Sequence, residues 1–419
     1  MPRIDAAELP EWPEPLLGGK YVRLLQKQLN ALRREDEHGN RKLFLDDVFV
    51  VYLLAFFNPA VRSLRTIEDL SQTRQAQKHL RVPKVCKSTL SDFNALSDPE
   101  RLEPILQALR AQLARQQVKQ PRANSGDLHE LLQKTVAVDG TFLPAAAHVA
   151  WAVANANNTD AVRHRARIDT HVNVTTWLPE VMVVPEPNQS EADSAIKHLQ
   201  AGRISVYDRG FVSLSLLKAH HDTPGANFVV RWKPEGNNAA PIEVTFENEL
   251  SEEDHAAGVV SDRVGRFATQ SAERAKIDNE IFREVVVEFN DQGETKTLRL
   301  ITDLVDVPAS AVATLYRWRW QVELFFRWLK TLANFDHLIS HTREGVQTHL
   351  YVTVIATLLM YLHTGYRPSK YLFTLLSQVA AGGATLDEVL PILRERERRC
   401  ELDRQSRARR AAKKKSQTK

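Results

Sequence analysis

The spacing of apolar positions changes twice along the chain, and those changes predict its organisation. Residues 17–117 carry helical spacing with few strand signals. Within them, Leu43 to Phe57 is apolar on most of a helical circumference and stops at Asn58-Pro59, which predicts a core helix. Ser88, after Lys84 and Lys87, stands where a helix N-cap is expected. A small DNA-binding module and a plain packing domain both fit this region. Lys119 to Asp127 is polar, holds Pro121 and Gly126, and reads as a linker.

From Thr135 the spacing turns to short β-type runs. Thr135–Asp139, His148–Val153, Arg167–Val174 and Val181–Val184 predict successive strands. Ser190 with Asp193 resembles a capping box and opens a helix to Gln200. Ile204–Asp208 then predicts a strand, Val212–His221 a helix and Asn227–Arg231 a strand. Strands followed by alternating helix and strand describe a mixed sheet in an α/β domain. Residues 235–294 interrupt this rhythm with alternating runs at Ile242–Phe246 and Ile281–Phe289, a turn at Asn290–Gly293, and a strand at Thr297–Thr302. Helical spacing returns at Ala309 and lasts to about Leu393.

Charge sharpens the division. The chain of 419 residues carries a formal net charge of only +4, but residues 394–419 hold 12 Lys or Arg against 4 Asp or Glu. This tail reads as a basic arm that neutralises phosphates without reading sequence. Residues 235–294 are the opposite, with 15 Asp or Glu against 5 Lys or Arg. The two cysteines, Cys86 and Cys400, make neither a disulfide framework nor a cysteine zinc site and fit a reducing cytosol. The longest apolar-rich run, Leu350–Leu362, is too short to span a bilayer and predicts a buried helix. No membrane partner and no secretory signal are expected.

Three acidic positions carry the candidate chemistry. Asp139 in VAVDGTF and Asp208 in SVYDRGF each close a predicted strand before a Gly-containing turn. Ligands of open α/β sheets bind at the carboxyl edge of the strands, although a turn or helix-cap role serves either aspartate alone. The third is Glu323, in the segment Tyr316–Lys330. On one α-helix, Tyr316, Arg319, Glu323 and Lys330 share an arc of about 60°, beside a core-facing arc of Leu315, Trp318, Val322, Phe325, Phe326 and Leu329. A solvated face with one ion pair has the same periodicity. Trp232, at the rim of the interruption, is a candidate for stacking on an unpaired base or for the core. His337 and His341 are spaced i, i+4 without an HExxH motif, so no zinc site is expected.

Tyr316, Arg319, Glu323 and Lys330 match the spacing Y-x2-R-x3-E-x6-K, and VAVDGTF and YDRGF precede them in order. In this the chain resembles the insertion-sequence-four family of DDE transposases, over roughly residues 85–365. The resemblance implies an α/β fold with a ribonuclease-H-like catalytic domain (128–234 and 295–340) and a β-rich insertion (235–294). Helical regions would stand before it (1–127) and after it (341–393), with the basic tail at 394–419. It implies that Asp139, Asp208 and Glu323 hold two Mg2+ ions, which Mn2+ can replace, and that Tyr316, Arg319 and Lys330 hold terminal phosphates. The implied partners are double-stranded DNA, as transposon ends and target, and a second copy of the chain on that DNA. The implied setting is the bacterial cytoplasm, at the nucleoid. A nuclease on the same fold that cuts without joining, and a non-catalytic DNA-binding remnant, are the alternative readings.

Overall fold

The computed structural model describes residues 18–35, 42–58, 61–118, 127–144, 153–155, 163–186, 189–232, 242–291, 294–331, 339–340 and 342–364, with scattered residues from 374 to 406. The expected linker (119–127) except Asp127, which opens a helix, most of the strand expected at 148–153, His337, His341 and the basic tail beyond 406 lie outside the described residues. The chain divides into two compact units, one of residues 1–120 and 332–419 and one of residues 121–331.

The first unit is helical. Its N-terminal part comprises α1 (Gly19–Leu24), α2 (Gln26–Arg34), α3 (Leu45–Phe57), α4 (Leu64–Ser71), α5 (Arg74–Gln77), α6 (Lys87–Leu96) and α7 (Glu103–Val118). The helix expected at Leu43–Phe57 is α3, and its first-turn carboxylates Asp46 and Asp47 both pair with Arg33, at 2.8 and 2.5 Å. The N-cap of α6 is Cys86 rather than Ser88, and no side chain caps it. The helical regions expected before and after the catalytic domain therefore belong to one unit. Its long helix Arg343–Thr364 packs on α3, α6 and α7. A helix apolar on all sides needs cover on all sides. Arg343–His363 is also long and apolar enough to cross a membrane, but 94% of its apolar window is buried inside the fold.

The second unit is built on one ten-stranded sheet. After α8 (Asp127–Lys134) come β1 (Thr135–Pro144), β2 (Val153–Asn155), β3 (Arg163–Asn173), β4 (Pro179–Val183), α9 (Glu191–Lys197), β5 (Ile204–Tyr207), α10 (Leu214–Asp222) and β6 (Asn227–Arg231). Then follow β7 (Ile242–Glu247), α11 (Glu252–Ala256), β8 (Val259–Phe267), α12 (Gln270–Ala275), β9 (Phe282–Asp291), β10 (Glu294–Thr302), α13 (Ala309–Trp318) and α14 (Trp320–Thr331). The strand order is β2-β3-β1-β5-β6-β10-β9-β8-β7, with β4 also paired to β3. β1, β5 and β6 are parallel, while β3, β4 and the strands from β7 to β10 pair antiparallel with their neighbours.

The interruption at 235–294 is thus an extension of the same sheet, entered from β6 and closed by β10. Its acidic excess is partly neutralised inside. Buried Asp262 forms a two-pronged pair with Arg283, both contacts at 2.7 Å, and buried Glu284 pairs with Arg263 and Arg299. Ser251 caps α11 by accepting the Asp254 N–H, and the Asp254 carboxylate accepts the Ser251 N–H in return and the Ser310 N–H at the start of α13, at 2.7 Å. On one sheet face Val136, Val138, Tyr207, Phe228, Val230 and Ile301 pack with Ala195, Leu216 and Leu217 of α9 and α10. α14 packs on β1 and β3, and α13 on β5, β6, β8 and β9.

Candidate active site

Register places the two aspartates. β1 and β5 run parallel with Val138 opposite Tyr207, so Asp139 and Asp208 follow at equivalent positions on adjacent strands. Neighbouring strands lie about 4.8 Å apart. Val138 and Tyr207 face the core layer of α9 and α10, and side chains alternate along a strand, so both aspartates point away from that layer. The expectation that Asp139 closes its strand is corrected. β1 runs on to Pro144, paired with β3 as far as Arg165. Asp139 sits instead where its parallel neighbour β5 stops, which opens the sheet beside it.

Glu323 arrives on α14. This helix is held over β1 and β3 by Trp177, whose Nε1 donates to the Gln321 carbonyl (3.3 Å) and whose ring packs edge-on against Phe325 and Trp328. Trp177 adopts a left-handed backbone (φ 62°), a conformation costly for a bulky residue. Asn173 braces that turn by accepting the N–H groups of Thr175 and Thr176.

The four-residue row is not on one continuous helix as expected. α13 ends at Trp318 and α14 begins at Trp320, with Arg319 between them in right-handed backbone. Arg319 N–H donates to the Tyr316 carbonyl, and Val322 N–H to the Arg319 carbonyl, both over three residues rather than four. The chain keeps its direction through one tightened turn. Arg319 then joins two acids distant in sequence, donating to Glu323 at 2.8 Å and to Asp139 at 3.4 Å. Its carbon Cζ lies 5.9 Å from the ring centre of Tyr316, which is largely buried. Lys330 is half-buried in the last turn of α14.

Burial pushes the Asp139 carboxyl up to about 6; Arg319 and the Gly140 N–H oppose this, and Glu191 and Asp208 add to it. Asp208 accepts the Arg209 N–H at 2.7 Å and faces Arg231 at 3.8 Å. Among the described residues, no three His, Cys, Asp or Glu side chains are grouped as they would be around an ion. The Arg319 guanidinium lies between Asp139 and Glu323, as a cation of the protein's own.

The sequence reading missed three features of this region. Glu191, the first residue of α9, puts its carboxylate beside Gly140 and Gly210. Buried Asp169 lies opposite Gly140 across the strand pair, gripped by Arg167 at 2.8 and 3.1 Å. Half-exposed Trp320 lines, with Tyr316, Arg319, Val287, Leu298 and Leu300, an apolar cavity of about 270 Å³. Only the capping serine before Glu191 was visible as a local signal. Trp232 is corrected from a stacking candidate to a core residue: it is 4% exposed and its ring packs on Phe267, centres 5.2 Å apart.

Residues 130–359 match the family model of the transposase DDE domain. A protein named as a transposase, y4zB of Sinorhizobium fredii, is 25% identical over 224 residues, 53% of this chain and 59% of that one. The match thus spans less than two thirds of that relative. The transposase of insertion sequence element IS4SA from Synechocystis is 23% identical over 310 residues, 71% of this chain and 79% of that one. The transposase of element IS5377 from Geobacillus stearothermophilus is 36% identical over 78 residues, 19% of this chain and 20% of that one. Among solved structures, a piggyBac transposase synaptic complex with hairpin DNA is similar over 90% of this chain and 82% of that one, at 11% identity. Its TM-score of 0.38 is too low to bear an argument about fold. With the family model matching more than half of its length, the chain belongs to the transposase DDE domain family.

Proposed function

We propose that this protein cleaves DNA at the ends of an insertion sequence and joins the freed 3′ ends to target DNA, using Asp139, Asp208 and Glu323 to hold two divalent ions. The observation that carries this reading is the tie that Arg319 makes between Asp139 and Glu323 beside Asp208 on the neighbouring parallel strand. Asp139 and Asp208 share a parallel register, and Arg319 links Asp139 to Glu323. The strand order β4-β3-β1-β5-β6, three antiparallel members and then two parallel additions, supports a ribonuclease-H-like core. Residues 235–294 are read as its insertion.

The donors suit Mg2+: all are hard carboxylate oxygens, and clustered carboxylates repel unless a cation lies among them. When bound, such ions activate the attacking oxygen and stabilise the leaving one. Attack of water on the phosphorus at the element's end forms a 5′-phosphate and breaks the bond to the 3′ oxygen, which takes up the proton that the water loses. The resulting 3′-hydroxyl attacks a target phosphate, forming the new P–O bond, and the target's own 3′ oxygen leaves with the proton. Arg319, Tyr316 and Lys330 hold the terminal phosphates, and a second copy of the chain holds the other end.

The reading is tested by incubating the protein with a plasmid carrying the element's own ends, with and without Mg2+. Ends that are cut and joined only with Mg2+ support it. Cutting without joining favours a nuclease, and binding without cutting a remnant.

Arg319→Ala is expected to lower the salt slope of end binding by roughly one unit, since one phosphate contact is lost. Single-turnover cleavage should fall on the order of 100-fold, because in-line attack tolerates little misplacement. Arg319→Lys should rescue only part, as a point charge cannot reproduce the planar fork. Wild-type behaviour in both assays would reduce Arg319 to a structural tie. Removing residues 404–419 should weaken binding to end and random DNA by similar factors. Loss of end binding alone would make the tail a sequence reader.

A further inference from the structure

We propose that Arg319 locks the acidic edge as the protein's own counter-ion, and that a phosphate of the DNA end draws it away so that divalent ions bind tightly. The inference rests on the three-carboxylate reading above and adds to it a coupling between DNA and metal.

Arg319 gives one guanidinium nitrogen to each of two acids, Glu323 at 2.8 Å and Asp139 at 3.4 Å. Its side chain is 11% exposed, against 24% for Asp139 and 31% for Glu323, so the cation lies deeper than the acids it joins. A divalent ion shared by Asp139 and Glu323 therefore meets a positive charge already in contact with both. Like charges at such range repel strongly where water is scarce. With the guanidinium in place, no three acids among the described residues are grouped as they would be around an ion.

The tie is loose in a way that structural ties in the same unit are not. Arg167 presents both prongs to Asp169, at 2.8 and 3.1 Å, and Arg283 both prongs to Asp262, each at 2.7 Å. Arg319 instead splits its fork between two acids. One contact is long, and its buried Nε has no acceptor among the described residues. A buried donor without a partner is costly. A phosphate offers two oxygens in the geometry of the fork and satisfies it more fully. When an end phosphate takes Arg319, the positive charge leaves the gap between Asp139 and Glu323, and both acids are free for divalent ions. By linkage, ions must strengthen end binding by the factor by which ends strengthen ion binding. Ions are then held tightly only with an end in place, which restrains cutting elsewhere.

The test is Mn2+ binding by the full-length protein, followed by the paramagnetic resonance of free Mn2+. It is run alone and with a pre-cut duplex of the element's own end, subtracting the Mn2+ that the duplex alone holds. Wild type is expected to bind Mn2+ about tenfold more tightly with the duplex, within the usual range of such coupling. Arg319→Met keeps the length of the side chain and drops its charge. Without DNA it should bind Mn2+ about tenfold more tightly than wild type, and it should gain less from the duplex. A structural tie predicts the reverse, since loosened acids make a weaker site. Arg209→Met removes an exposed cation beside Asp208 and serves as the reference, with less than about a twofold gain. Affinity in Arg319→Met equal to or below wild type, with Asp139→Asn weakened, overturns the lock and leaves the three-carboxylate reading standing. An equal gain in Arg209→Met makes the effect one of net charge and also overturns the lock. Should Arg319→Met fail to fold, the wild-type comparison decides, and no gain with the duplex overturns the lock. Unchanged affinity in Asp139→Asn, Asp208→Asn and Glu323→Gln alike overturns both.

Discussion

Asp139→Asn, Asp208→Asn and Glu323→Gln are each expected to slow Mg2+-dependent cleavage of a plasmid carrying the element's ends by about 1000-fold, roughly 4 kcal/mol in the barrier. Each swap keeps the size of the side chain and removes one negative charge from a centre that needs all of them to hold its ions. Binding to the same ends should remain close to wild type, because affinity comes from cationic contacts with phosphates rather than from the acids. Asp139 and Glu323 also anchor Arg319. Their variants should therefore change the salt dependence of binding slightly, and Asp208→Asn should not. Cleavage at fixed protein and varied Mg2+, with filter binding on the same preparations, separates the two effects. Substantial Mg2+-dependent cutting in all three variants would sink the assignment.

Arg283→Met is expected to cost roughly 3–5 kcal/mol of stability, the usual penalty for leaving a buried charge without its partner. Arg283 is buried on β9 and grips Asp262 with both prongs. Its remaining nitrogen donates to the carbonyls of Leu304 and Val307, at 3.0 and 2.5 Å. Those carbonyls belong to the turn that leads from β10 into α13. The substitution strands Asp262 and frees the turn that aims the Tyr316–Glu323 segment. A unit of about 200 residues loses roughly 2–4 °C per kcal/mol, so melting should drop by about 10 °C. Pairing it with Asp262→Leu should recover most of the loss, since an apolar pair of similar volume can replace a buried ion pair. Urea unfolding of single and double variants checks this. A single variant within about 1 kcal/mol of wild type would show that the pair contributes little.

Local signals were enough for most elements of the sheet. β6 lies where the apolar run within Asn227–Arg231 predicted it, and the Ser190 cap opens α9 as expected. The four-residue spacing around Glu323 pointed to the segment that reaches Asp139. What escaped depends on partners far away in sequence. Gly140 to Pro144 has the composition of a turn, yet β3 pairs with it and keeps it extended. Glu191 looks like an ordinary first-turn acid until two glycines, 51 residues before it and 19 after, are folded around it. The break at Arg319 has no proline or glycine to announce it. Its reach to both Asp139 and Glu323 becomes visible only once the sheet has closed.

The join between β6 and β10 bears on how such a chain can change over evolutionary time. The extension leaves the sheet after β6 and returns as β10, its antiparallel neighbour, with Leu300 opposite Arg231. Its two ends therefore stand one strand apart, and a short hairpin could bridge them without moving any proposed metal ligand. Lengthening or trimming at this seam is topologically free. It is not energetically free, because Phe267 and Phe282 of the extension pack in one cluster with Trp232, Phe228 and Ile301. A lineage that discarded the extension would bare that aromatic wall, and would have to repaint it with polar residues before the shortened protein stayed in solution.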